Sequence, residues 1–158
     1  MSPSEPLVLL LDDDAALLRS LSRALRAAGA RVMTFERPEP IAEQLGAEIP
    51  HVMVIDYVLG GDWTGGDVAA ELRERLRQAC PPLILLSGTV GDVKDEHLAL
   101  FDHAIAKGGD VDTLIHQILA RAAHEQSSRS NTAHRGEVLG EIGRRTKEEP
   151  GNGTHGAS

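Results

Sequence analysis

Along the first 125 residues, short apolar runs alternate with stretches whose apolar positions recur every three or four residues. Leu7 to Leu11 is unbroken and apolar, the pattern of a strand covered on both faces. Arg31 to Phe35, His51 to Asp56, Pro82 to Ser87 and Ala104 to Lys107 read as further strands. Between the first two, Leu18, Leu21, Leu25 and Ala28 share one helical face, and Arg19, Arg23 and Arg26 lie on the other. Asp14 suits the N-cap of that helix and Gly29 its end. Helices are also predicted over Ile41 to Leu45, Gly66 to Cys80, Asp92 to Leu100 and Asp112 to Ala122.

Five strands alternating with five helices predict an α/β fold, a doubly wound five-stranded parallel sheet of flavodoxin-like type. Right-handed crossovers bring the C-terminal ends of the strands to one rim. Open α/β sheets bind their ligands at that rim. The pattern places one domain over residues 1–125. From Gln126 to Ser158, Ser, Gly, Asn, Thr and charged residues dominate, a composition that predicts a largely disordered tail. Within it, Val138, Leu139 and Ile142 allow no more than a brief helix over Glu137 to Arg145.

Charge and composition remove several classes of function. The net charge of -8 lacks the basic footprint of a nucleic-acid binder. A single cysteine, Cys80, excludes an internal disulfide and a multi-cysteine metal site. It also points to a reducing, cytoplasmic setting. The N-terminus, MSPSEPLVLLLDDD, is neither a secretion signal nor a membrane span. No two of the seven histidines have HxH or HxxxH spacing, so a histidine metal site is not expected.

Chemistry gathers at the expected rim. Asp12 and Asp13 follow the first strand, Asp56 ends the third, Ser87 the fourth and Lys107 the fifth. Three carboxylates in one cleft repel unless a cation joins them, and Mg²⁺ favours hard oxygen ligands. A lysine and a hydroxyl alongside suit a phosphoryl group. A carboxylate is itself able to act as the nucleophile and form an acyl phosphate. Asp14 is assigned to the helix cap, and Asp62 and Asp67 to a loop and a helix start.

The blocks LVLLLDDD, HVMVID, PPLILLSG and AIAK, in this order, resemble the signature blocks of response-regulator receiver domains in two-component signalling. The resemblance spans about residues 6 to 124. It implies that Asp56 is the phosphoacceptor, and that Asp12, Asp13, Asp56 and the backbone carbonyl of Val58 hold Mg²⁺. It assigns Ser87 and Lys107 to the phosphoryl group, with small Gly88 leaving room for it. A single-domain response regulator follows, not an enzyme. It takes phosphate from a histidine kinase or a phosphotransfer protein and acts through protein contacts, and the helix with Leu17, Arg19 and Arg23 is the expected kinase-docking face.

Three positions depart from that pattern. Gly108 follows the lysine where receivers usually have proline, which predicts a looser lysine. Ala104 stands where the fifth strand usually carries Tyr or Phe, so aromatic switching is lost there. The loop YVLGGDWTGG after Asp56 lacks the usual proline, is about two residues longer, and carries Trp63, a lid, a partner contact or an ordinary loop anchor. Two other readings compete. One is a phosphorylation-independent interaction module. The other is a phosphatase of haloacid-dehalogenase type, whose DxD pattern requires Asp14 as the second acid.

Overall fold

A computed structural model describes residues 4–145 of the chain, with side chains as far as 133. The strands are β1 (Leu7–Leu11), β2 (Arg31–Phe35), β3 (Val52–Asp56), β4 (Leu83–Ser87) and β5 (His103–Ala106). All pair in parallel, in the order β2-β1-β3-β4-β5. The helices are α1 (Ala15–Ala27), α2 (Ile41–Leu45), α3 (Gly65–Leu76), α4 (Asp95–Leu98) and α5 (Val111–Arg145). This is the doubly wound parallel sheet that the alternation of patterns predicts. Strand order reverses between β1 and β3, so the crevice beyond their ends lies where such sheets hold ligands.

Alternation along the buried strands divides the core into two layers. Val8, Leu10, Val52, Val54, Ile84 and Leu86 face α1 and α5, meeting Leu18, Leu21, Leu25, Ile115 and Ile118. Leu9, Leu11, Met53, Ile55 and Leu83 face the other way, against Ile41 of α2 and Val68, Ala69 and Leu72 of α3. Every residue of β1, β3 and β4 is buried, and a fully buried aliphatic side chain contributes about 1.5–3 kcal/mol. That packing fixes the strand ends, and the functional side chains with them.

Local chemistry sets where helices begin. Asp14 caps α1, its side chain accepting from the N–H groups of Ala16 and Leu17 at 3.0 and 3.1 Å. Thr64 and Asp67 form a reciprocal capping box on α3.

Three helices differ from the predicted ones by more than one residue. The third helix ends at Leu76 and continues as a 3₁₀ turn, Arg77–Ala79, because Arg77 adopts φ 49° and Pro81 follows Cys80. The predicted helix over Asp92 to Leu100 is a 3₁₀ turn, Val90–Asp92, followed by the single turn of α4. Val93 and Lys94 between them are extended, and Val93 is buried, so the chain spends those residues crossing into the core. The last helix extends past Ala122 to Arg145, a stretch without the proline that would break it. The compact unit bearing the sheet is Met1–Gln126. The segment expected to be a disordered tail is thus helical over 126–145, and 146–158 lie outside the described residues.

Candidate phosphoacceptor site

The site is made by residues that directly follow apolar strands. Asp56 is the last residue of β3, and Asp12 and Asp13 come immediately after β1, its sheet neighbour. Carboxylate oxygens of Asp12, Asp13 and Asp56 lie within 4.8 Å of one another. Asp12 and Asp56 are buried, 3% and 4% exposed, and Asp13 faces solvent. Asp12 Oδ1 accepts from the N–H of Asp14 at 2.9 Å.

Lys107, the first residue past β5, reaches over the sheet to both buried acids. Its Nζ lies 2.7 Å from Asp12 Oδ2 and 3.2 Å from Asp56 Oδ1. Asp12 Oδ2 has no well-directed hydrogen bond despite that short approach, so the contact is an ion pair and the buried oxygen keeps coordinating capacity. A buried carboxylate beside two further carboxylates is a donor set that suits a hard divalent cation.

Electrostatics leave the cluster under-compensated. Burial, reinforced by the negative charge of Asp12, pushes the Asp56 carboxyl up to about 6 against the opposing pull of Lys107. Burial works to lower the Lys107 ammonium, but contact with Asp12 and the charge of Asp56 outweigh it and the net shift is upward. One ammonium facing three acids is short of positive charge.

Ser87 closes the far side of the rim. It is buried at the end of β4, one step beyond the residue paired with Asp56, and its Oγ accepts from the N–H of Thr89 at 3.3 Å. A Cβ on Gly88 would meet no atom within 4 Å, so the space beside Ser87 is open. Val58 lies in the loop after Asp56, bridged to Thr64. Asp14 and Asp67 serve the helix caps, and Asp62 belongs to the loop. The cap contacts of Asp14 remove the second acid that a dehalogenase-type site requires.

Comparison with known proteins bears on the fold. No family model and no curated protein matches the chain. Solved structures do. A CheY-like response regulator receiver domain from Methylobacillus flagellatus superposes with a TM-score of 0.63 at 21% identity, over 70% of this chain and 93% of that one. One from Methanospirillum hungatei gives 0.67 at 20%, over 79% and 99%. A response regulator from Burkholderia pseudomallei, whose structure contains a phosphorylated aspartic acid, a calcium ion and citrate, gives 0.63 at 20%, over 88% and 86%. The chain has the receiver fold.

Within that fold the three departures take definite forms. Gly108 has φ 90°, a conformation closed to proline. The lysine is nonetheless anchored, since its N–H donates to Ser87 O at 2.8 Å and its Nζ is ion-paired twice. Ala104 is exposed on β5. The loop after Asp56 turns on Gly60 and Gly61, both at φ 70°, and its Trp63 lines a cavity with residues of α2 and α3.

Sequence reading missed two features. A Cβ at Gly65 would overlap the Asp56 carbonyl, and one at Gly66 would overlap the His97 ring. The glycines let α3 close on Asp56 and α4 close on α3. The Tyr57 hydroxyl is 2.9 Å from His97 Nδ1, which ties the residue after Asp56 to α4. The paired glycines were visible as a signal, but the 40-residue separation of Tyr57 and His97 hid their contact.

Proposed function

We propose that this chain is a response regulator, its receiver unit over residues 1–125, in which Asp56 accepts a phosphoryl group from a histidine kinase or a phosphotransfer protein. The observation that carries this reading is the buried Asp56 at a strand end, clustered with Asp12 and Asp13 and bridged by Lys107. Asp12, Asp13, Asp56 and the Val58 carbonyl would hold Mg²⁺. When bound, the ion offsets the repulsion among the acids and polarises the phosphoryl oxygens.

In the transfer, an ionised Asp56 oxygen attacks phosphorus as the donor's P–N bond breaks. The electron pair stays on the donor imidazole, which then takes up a proton from solvent, and Asp56 becomes an acyl phosphate. Lys107 already lies beside Asp56 and supplies an ammonium for the added negative charge, and the Ser87 hydroxyl provides a hydrogen bond from the β4 side. Rim access leaves the donor histidine to approach over α1, where Arg19 and Arg23 are exposed and Leu17 is half-buried. Signal output proceeds through protein contact, within the cytoplasm.

A phosphoramidate donor has the same P–N bond as phosphohistidine. Incubation with it and Mg²⁺ is expected to add the mass of one phosphoryl group to the wild type. Chelation of the metal should prevent this, as should Asp56→Asn. An unlabelled wild type, or a variant labelled as well as the wild type, refutes the proposal.

A further inference from the structure

Trp63 stands on a ridge between two depressions of opposite character. On one side is a cavity of about 180 Å³ walled by Pro38, Ile41, Leu45, Val68 and Leu72. On the other is an open groove lined by Asp62, Asp67, Glu71, Glu74, Arg75 and Arg77. The cause is visible in the chain. The single turn of α2 follows Pro38-Glu39-Pro40, and so short an element leaves part of the apolar face of α3 uncovered.

Three large apolar side chains are exposed among the described residues, and two of them, Val58 and Trp63, belong to this one loop. Trp63 is 43% exposed, and the cavity beside it is mostly aliphatic, with Glu39, Glu71 and Arg75 completing its wall. An aromatic side chain beside an unfilled apolar cavity is the arrangement that dominates binding energy at interfaces. The charge around it is one-sided. Arg75 is already paired with Glu71 at 2.8 Å, which leaves Glu39, Asp62, Asp67 and Glu74 against Arg77.

We propose that this ridge is a docking surface for a basic amphipathic segment of a partner protein. One bulky apolar side chain of the partner fills the cavity against Trp63, and its lysines or arginines lie along the carboxylates. Complementary charge fixes the orientation and rejects acidic partners, nucleic acid among them. The surface is separate from the carboxylates of the phosphoacceptor site, and its occupation does not require phosphorylation of Asp56.

Trp63 is the only tryptophan, so its fluorescence reports directly on the ridge. The full chain is titrated with a helical peptide bearing leucines on one face and lysines on the other, and with the same peptide carrying glutamates for lysines. The lysine peptide alone should bind and shift the Trp63 emission to the blue, equally in wild type and Asp56→Asn. By calorimetry, Trp63→Ala and the double variant Glu39→Lys/Glu74→Lys should each lose about tenfold in affinity. Asp95→Lys/Glu96→Lys, on α4, should bind as the wild type does. The proposal is overturned by any of four results: no binding, equal binding of the two peptides, affinity retained in Trp63→Ala, or an equal loss in the α4 variant.

Discussion

The carboxylate rim and the α4–β5 side of the same sheet are built on opposite terms. At the rim, two buried acids and an exposed one share a single ammonium, an arrangement that costs free energy in the metal-free protein. On the α4–β5 side, α4 is one turn long, Ala104 is exposed, and the Tyr57 hydroxyl joins the loop after Asp56 to His97. The rim stores electrostatic repulsion that a ligand can relieve. The other side is held by ordinary hydrogen bonds and packing, with Tyr57 on His97 and Arg73 on Leu100 O.

The largest expected effects break the rim. The Asp56 carboxyl lies at about 6 in the folded protein against an ordinary 3.8, so the folded state holds that proton more tightly than the unfolded chain. Ionisation of Asp56 therefore opposes folding. The penalty is absent below about pH 4, grows as pH rises towards 6, and is complete above that, at about 3 kcal/mol for a shift of about two units. In metal-free buffer, Asp56→Asn should be the more stable protein at pH 7.5 in urea unfolding, with the difference vanishing towards pH 4. A difference of opposite sign, or one independent of pH, contradicts the electrostatic reading.

Lys107→Met removes the one cation that faces both buried acids. It should lower stability at pH 7.5 by about 3 kcal/mol in metal-free urea unfolding, because the charges left behind remain buried. Mg²⁺ should restore part of that loss, and no destabilisation would mean that Lys107 does not compensate the acids.

On the other side the effects are smaller. Tyr57→Phe deletes one half-buried hydrogen bond and should cost about 1 kcal/mol, with faster amide exchange in α4 and unchanged labelling of Asp56. Slower labelling together with normal α4 exchange would shift its role from α4 to the rim. Ala104→Tyr is expected to change unfolding stability by less than about 0.5 kcal/mol, because the position is solvent-exposed. A larger change would reveal packing on β5 that the exposure of Ala104 denies.

The same contrast explains what the sequence made legible. Asp12, Asp13, Asp56, Ser87 and Lys107 could be read because each ends or follows an apolar run, and parallel topology brings such ends together. The alternation that defined five strands also set the division of the core into two layers. The short α4 was not legible, since Val93 interrupts a helix-like pattern through burial, which only the tertiary structure supplies. Tyr57 and His97 are joined by a contact across 40 residues, and neither carries a local signal. Trp63 was visible as an unusual loop residue, but its turn toward α2 depends on Gly60 and Gly61 at φ 70°.

Locating the modified residue tests the role of the rim most directly. After phosphorylation with a small-molecule donor and Mg²⁺, borohydride reduction converts an aspartyl phosphate to homoserine, which peptide mass mapping can place in the chain. Homoserine is predicted at position 56 and nowhere else. Homoserine at position 12 or 13, or none at all under conditions that reduce a control acyl phosphate, would contradict the assignment of Asp56.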